Sequence, residues 1–100
     1  MIARIWHGVV PVTKSEEYLR LMRTIALPDY QSVLGNCGAF VLREIQGEIA
    51  HFVMLSFWDS REAIAKFAGL DIDVAKYYEF DHEFLVALEP SVKHYEIYKD

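Results

Sequence analysis

The first apolar stretch of the chain, residues 2–12, alternates with the two-residue period of a β-strand, and three later stretches are apolar runs of strand length. These stretches are rich in β-branched and aromatic residues and span residues 2–12, 39–45, 48–58 and 92–98. Because Pro, Gly or polar residues bound each of them, we expect four separate strands.

Helical periodicity between these stretches gives a βαββαβ order. The first helix is predicted to begin at a capping box, Thr13-Lys14-Ser15-Glu16, and to end or kink at Pro28. The second is predicted over residues 60–68, before Gly69, and a further short helix over residues 81–89. The inward stripe of the first helix is predicted to contain Tyr18, Met22 and Ile25. This order predicts an α+β, ferredoxin-like βαββαβ fold with a four-stranded antiparallel sheet.

The dipeptide Gln46-Gly47 lies between two β-rich stretches and predicts a tight hairpin. In that register Ile45 pairs with Glu48, and Arg43 lies opposite Ala50. The third strand then has two faces. One carries Ala50, Phe52, Met54, Ser56 and Trp58, and the other carries Ile49, His51, Val53, Leu55 and Phe57.

Both faces of this strand are apolar, whereas a sheet with one wet face alternates between apolar and polar residues. Two helices cover one face of a ferredoxin-like sheet and leave the other bare. Pairing of two sheets across a two-fold axis would bury the bare face. We therefore predict a homodimer formed through the sheet faces.

Composition narrows the classes of function. One hundred residues predict a single domain, 1–100, and 53% hydrophobic residues are many for so small a fold, which favours an oligomer. A net charge of −5 without a Lys/Arg cluster argues against nucleic-acid and membrane partners. The single cysteine, Cys37, fits a cytoplasmic location and excludes an internal disulfide or a multi-cysteine metal site. We predict no metal ligands and no cofactor.

The stretch SFWDSREAIAKFAG, residues 56–69, ends a strand on Trp58 and starts a helix behind a short polar cap. Together with the βαββαβ order, it resembles the antibiotic biosynthesis monooxygenase superfamily of dimeric α+β barrels. Further segments resemble a subgroup of short members without an assigned substrate: RIWHG (4–8), LPDY (27–30), GNCGAFVLR (35–43), YY (77–78) and LEPSVKHYE (88–96). The resemblance implies a cofactor-independent monooxygenase that oxidises a small aromatic or quinol-like molecule in a pocket between sheet and helices.

Three residues are the candidates for catalysis. Arg4, inside an apolar strand, would stabilise an anion, although a buried salt bridge with Glu96 explains it equally well. His94 would accept the proton of the substrate, while the common alternative for a strand histidine is a hydrogen-bonded core residue. By its family position Trp58 would meet a flat ligand, and otherwise it is core.

Seven further residues are candidates for substrate binding, because they share the inner face or lie in segments that could cap a pocket mouth. They are Trp6, Tyr30, Arg43, Met54, Phe67, Tyr77 and Tyr78. Their alternative role is packing in the core or at an interface.

Two other functions remain open at the level of sequence. One is a non-catalytic dimer that binds a small molecule or acts in a stress response. The other, less favoured, is haem binding or degradation. The haem-degrading branch of the superfamily uses an Asn on the first strand and an axial His on the second helix, and this chain has neither at those places.

Overall fold

The protein, described here by a computed structural model over residues 1–99, forms one four-stranded antiparallel sheet. The strands are β1 Ile2–Pro11, β2 Asn36–Gln46, β3 Ile49–Trp58 and β4 Lys93–Glu96, in the spatial order β2-β3-β1-β4. This is the order of a ferredoxin-like fold, as the sequence predicted. In the described residues no helix is long and apolar enough to cross a membrane.

The first helical segment begins differently from the prediction. A 3₁₀ turn, Val12–Lys14, leads into helix α1, Ser15–Leu21, and the first residue of α1 is preceded by no side-chain cap. The predicted capping box is therefore wrong. The segment then widens into a π-helix, Met22–Ala26, and continues as helix α2, Leu27–Ser32. Pro28 lies in the first turn of α2, directly after the π-helix, and the helix does not end there.

The π-helical stretch has a reason in the spacing of the buried residues. Tyr18, Met22, Ala26 and Tyr30 are four residues apart and all are buried. In an ideal α-helix each step of four residues turns the side chain about 40° further round the axis. The wider π turn reduces this drift, so the four residues form one row facing the sheet. Ile25, predicted to face inward, is instead 45% exposed.

Helix α3 spans Arg61–Ala68 and agrees with the prediction. The Ser60 hydroxyl accepts a hydrogen bond from the Ala63 N–H at 3.1 Å, and Gly69 ends the helix with a φ of 97°. The predicted helix over residues 81–89 is wrong, because only a 3₁₀ turn, Glu79–Glu83, forms in that region.

The β2–β3 hairpin turns one residue later than predicted. Gln46 pairs with Ile49, so the loop is Gly47-Glu48, and Ile45 lies opposite Ala50. Gly47 has a φ of 61° at the first loop position, as a type II′ turn requires. Partners are thereby shifted by two residues along β3, which leaves the assignment of faces unchanged.

The two faces of the sheet differ in cover. On the inner face, β1 and β3 alternate buried residues against the helices, and this side contains the hydrophobic core. On the outer face, the corresponding residues of β1 and β3 are half-exposed, and Phe40 and Leu42 of β2 are 52% and 47% exposed. An exposed apolar surface of this kind is typical of an interaction face.

Candidate functional site

The inner face of β1 places a charged residue in the core. Arg4 is 1% exposed and lies between Ser56 of β3 and His94 of β4, its direct partners across the two strand pairs. Burial lowers the pKa of the guanidinium, with Tyr30 and Asp73 opposing that effect, yet an arginine stays charged under ordinary conditions. Arg4 is therefore a positively charged side chain in the core of the protein.

The contacts of Arg4 go to neutral acceptors. Its Nη1 donates to the Ile72 carbonyl at 2.5 Å and to His94 Nε2 at 2.9 Å, and its Nη2 donates to the Val74 carbonyl at 3.4 Å. Within residues 1–99, Arg4 makes no ion pair with a carboxylate, and its Nε has no hydrogen-bond partner. The alternative of a salt bridge with Glu96 does not form, since Glu96 lies opposite Ile2 instead.

His94 connects this cation to a carboxylate at the surface. Its Nδ1 donates to Asp73 Oδ1 at 3.0 Å, while the His94 side chain is 3% exposed and that of Asp73 is 73% exposed. Burial, and then the charge of Arg4, lower the pKa of His94, although Asp73 acts in the opposite direction. His94 is thus a neutral imidazole whose proton sits on Nδ1 and whose Nε2 lone pair faces Arg4.

Aromatic side chains form the other wall. Trp58 is fully buried and donates from Nε1 to the Ser56 hydroxyl at 2.9 Å. The Phe67 ring lies 5.5 Å from the Trp58 ring and 4.3 Å from the Tyr30 ring, between centroids. The guanidinium carbon of Arg4 is 5.9 Å from the same Phe67 ring. Because Trp58 is fully buried, a ligand reaches it only after a covering element moves.

The segment of residues 70–78, which we call the strap, covers the site. It supplies the two carbonyls that bind Arg4 and the Asp73 carboxylate. Lys76 fastens it, since Nζ lies 3.1 Å from Asp29 Oδ2, 3.1 Å from the Phe67 carbonyl and 4.1 Å from the Phe67 ring centroid. The Tyr78 hydroxyl also donates to Asp29 Oδ2, at 2.7 Å. Although burial opposes it, these hydrogen bonds lower the pKa of Asp29.

Two residues further along β1, Trp6 extends the same wall. Its ring is edge-on to Tyr77 at 6.0 Å, and it lies opposite Met54 of β3. Among the described residues, the buried Trp6 Nε1 has no hydrogen-bond partner. Gly8 makes room for this ring, because an added Cβ would lie 2.6 Å from Trp6 Cη2.

The structure brings most of the predicted site residues together. Arg4, His94, Trp58, Phe67 and Tyr30 form one cluster, which we call the Arg4 cluster. Met54 and Trp6 adjoin it, and Tyr77 and Tyr78 belong to the strap.

Arg43 lies apart from these residues. It is opposite Phe52, four residues from Ser56 along β3, and its Nη1 contacts Glu16 Oε1 at 2.8 Å and the Ser15 hydroxyl at 3.1 Å. The ligand-binding roles themselves stay predictions.

Sequence reasoning missed the strap. Asp73 lies in an acidic stretch of a kind typical of solvated surface, and its side chain is 73% exposed. Lys76 and Asp29 are 47 positions apart and meet through tertiary packing alone. The alternation of acidic and apolar residues in Asp71-Ile72-Asp73-Val74 was the one available signal of an extended segment.

The residues present do not fit a metal or haem. Over residues 1–99 there is no group of three or more His, Cys, Asp and Glu side chains arranged to hold a metal ion. Helix α3 contains no histidine, and the ring of Trp58 is occupied by contacts with Phe67. His94 has both ring nitrogens engaged, one by Arg4 and one by Asp73.

No protein-family model and no curated protein matches the chain. Solved structures do match in fold. Rv0793 from Mycobacterium tuberculosis has a TM-score of 0.66 at 16% identity, covering 99% of this chain and 96% of that one. A candidate antibiotic biosynthesis monooxygenase from Bacillus cereus has 0.66 at 14% identity, covering 99% and 96%. The haem degrader MhuD from Mycobacterium tuberculosis, with two haems bound, has 0.62 at 20% identity, covering 100% and 98%.

These likenesses confirm the predicted resemblance at the level of the fold. The chain has the ferredoxin-like fold of structures that include antibiotic biosynthesis monooxygenase-type proteins. At identities of 14% to 20% they do not carry an activity across to this chain.

Proposed function

We propose that the protein is a cofactor-independent monooxygenase that oxidises a small, ionisable aromatic or quinol-like molecule at the Arg4 cluster. The observation that carries the proposal is the buried guanidinium of Arg4, which makes no ion pair with a carboxylate in the described chain. A buried cation of this kind is costly unless an anion compensates it. An ionised substrate would be that anion.

His94 supplies the base. With Nδ1–H held by Asp73, the Nε2 lone pair is the free acceptor once Arg4 turns from it to the substrate. The lowered pKa keeps His94 unprotonated at neutral pH, as a general base must be. His94 Nε2 then takes the substrate proton, and Arg4 pairs with the resulting oxyanion.

The ionised substrate donates one electron to molecular oxygen, and the substrate radical and superoxide then combine. His94 returns its proton to the peroxide, and loss of water, which takes the hydrogen left on the same carbon, yields the quinone-type carbonyl. One oxygen atom thus enters the product and the other leaves in water. The walls formed by Trp58, Phe67 and Tyr30 exclude bulk water from these charged species. The indole and phenyl rings match a flat conjugated ligand.

Binding requires the strap to move. The carbonyls of Ile72 and Val74 already accept hydrogen bonds from the Arg4 guanidinium. An incoming oxyanion therefore competes with these two neutral acceptors. An oxyanion adds direct charge–charge attraction to these hydrogen bonds, which a carbonyl does not, and this favours the exchange in a buried site.

We also propose that the working form is a homodimer through the outer face. Its support is the apolar surface of β1, β2 and β3 on that side, with Phe40 and Leu42 each about half exposed. The second copy would complete the cover that a single chain lacks.

Oxygen uptake with a panel of anthrones and hydroquinones tests the activity. Replacement of the base in His94→Gln is expected to lower kcat by about 10²-fold or more, and Arg4→Gln by a comparable factor. Arg20→Gln on the exposed side of α1 is the matched control and should leave the rate unchanged. Full activity in both His94→Gln and Arg4→Gln would refute the proposed roles.

A second candidate function is a binding dimer without turnover. The observation that favours it is the complete burial of Trp58 and Ser56, which describes a well-packed core. Aromatic ligands that raise the melting temperature without any oxygen uptake would identify this alternative.

A further inference from the structure

A hydrogen-bonded chain of side chains crosses the outer face and plays no part in the proposed reaction. His7 Nδ1 lies 2.6 Å from Glu89 Oε2, His7 Nε2 lies 3.0 Å from His51 Nδ1, and His51 Nε2 lies 3.0 Å from Gln46 Oε1. The two imidazole rings are stacked with centroids 5.3 Å apart.

The middle link limits how many protons the two histidines can hold. A hydrogen bond between His7 Nε2 and His51 Nδ1 needs one proton on that line, with one nitrogen donating and the other accepting. If both imidazoles become doubly protonated, two N–H groups face each other and the bond is lost. Two cations then lie in contact, and Glu89 neutralises one of them.

This pair lies in the middle of the outer face, between two shallow grooves. One groove is lined by His7, Leu42, Arg43, Glu44, His51 and Val53. The other, on the β4 side, is lined by Ile5, His7, Val53, Glu89, Ser91, Val92 and Lys93. The charged side chains of the outer face beside the histidines are thus Glu44 on the β2 side and Lys93 and Glu89 on the β4 side, because the guanidinium of Arg43 points to Glu16 on the inner side.

The charges of this face favour a second copy of the same chain. The β2 side of the histidine pair carries an acid, Glu44, and the β4 side carries a base, Lys93. A two-fold copy that lays the β2 side of one chain over the β4 side of the other would set Glu44 against Lys93, which offsets the self-repulsion of a chain with a net charge of −5.

We propose that the His7–His51 pair makes self-association through the outer face sensitive to acid, so that the dimer weakens when both histidines are protonated. This inference depends on the proposed homodimer. In the dimer each copy would bury one such pair, and protonation would then place unpaired charge in an apolar interface, which costs association free energy.

The sign of the effect distinguishes it from general electrostatics. As the pH falls toward the isoelectric point of 5.3, the net negative charge shrinks and mutual repulsion declines. Nonspecific association would therefore strengthen on acidification, whereas the histidine pair predicts that it weakens.

Sedimentation equilibrium of the full chain at fixed ionic strength tests this. Between about pH 8 and about pH 5.8, where imidazoles take up protons, the dimer Kd is expected to rise at least about tenfold, as for a charge left unpaired at an interface. The double variant His7→Gln/His51→Gln should lose that dependence. The control His82→Gln, an exposed histidine on the 3₁₀ turn, should keep it.

Four results would overturn the inference. A dimer whose Kd is equal at both pH values removes the pH effect but leaves the homodimer intact, whereas a monomer at both pH values removes the homodimer as well. An unchanged dependence in the double variant assigns the effect to other groups. Imidazole ¹⁵N NMR of the unmodified chain guards against a misfolded variant, because doubly protonated histidines with an unchanged Kd also refute the proposal.

Discussion

Arg4 Nη1 lies 2.9 Å from His94 Nε2, and the two residues are direct partners across β1 and β4. Strand pairing fixes the positions of both residues, because neither strand can shift along the other without losing the hydrogen bonds between them. Asp73 on the far side of the imidazole completes a row of cation, neutral ring and carboxylate. The row leads from the core to the surface.

The environment of His94 predicts how stability depends on pH. Burial and then Arg4 lower the pKa of His94 in the folded protein below its ordinary 6.5, so the folded state binds fewer protons than the unfolded state just below pH 6.5. This contribution to the free energy of unfolding is present above pH 6.5 and is lost as the pH falls through and below it. The free energy of unfolding, measured with urea at several pH values and plotted against pH, should have a shallower slope in His94→Gln than in the parent. An equal slope in both would contradict the assignment, and His82→Gln is the control.

The Ser56–Trp58 hydrogen bond predicts a coupling between two substitutions. Ser56→Ala leaves the buried Trp58 Nε1 donor without an acceptor and should cost about 1–3 kcal/mol. Trp58→Phe removes that donor. In the double variant the loss of stability should therefore be smaller than the sum of the single losses by about 1 kcal/mol, measured by urea unfolding. Strict additivity would mean that the hydrogen bond does not contribute.

At Gly8 we expect substitution by alanine to change the stability in the direction opposite to the usual one. Inside a strand, glycine usually makes a protein less stable than alanine does, by about 0.5–1 kcal/mol. Here Gly8→Ala should instead destabilise the protein by about 1–3 kcal/mol, because the methyl group would lie 2.6 Å from Trp6 Cη2 and 2.8 Å from Leu85 Cδ2.

The Trp6→Phe background checks the cause of this effect. The smaller ring of phenylalanine removes the nearest contact to the added methyl group. The loss of stability caused by Gly8→Ala, measured by thermal or urea unfolding, should therefore be smaller in Trp6→Phe than in the parent chain. A stabilising Gly8→Ala in the parent chain would contradict the predicted clash.

Lys76 predicts a local rather than a global effect. Its side chain is 32% exposed and that of Asp29 is 39% exposed, so Lys76→Met should change stability by no more than about 1 kcal/mol. Amide hydrogen exchange of residues 70–78 should nevertheless become faster, because the strap loses its bonds to α2 and α3. Lys66→Met, at an exposed position on α3, should leave exchange of the strap unchanged. Equal protection of the strap in both variants would exclude Lys76 as its fastening.

The sheet was predictable because periodicity reports which residues share a face. Even the misplaced hairpin kept Arg43 and Phe52 on the inner side, since an error of two residues preserves the two-residue alternation. The adjacency of Arg4 and His94 followed from the predicted fold, in which the first and last strands are neighbours.

The strap and the helical details were not predictable from local pattern. The capping box Thr13–Glu16 failed because a 3₁₀ turn continues straight from β1 into α1. The partners of Arg4 on the strap are backbone carbonyls, which carry no sequence signature. Asp73 lies in an acidic stretch without any local sign of a buried partner, and only the folded chain brings its carboxylate to His94.

The π-helical stretch Met22–Ala26 ties the length of one helix to the aromatic wall. A π turn holds one residue more than the α-helical turn it replaces, so loss of one residue there can restore ordinary α-helical winding with little change of direction downstream. Tyr30 would then keep its place beside Phe67, 4.3 Å away between ring centroids. Loss of one residue from α2, which has no extra residue to give up, would instead turn everything downstream by about 100°. Single-residue deletions should thus be tolerated better in Met22–Ala26 than in Leu27–Ser32.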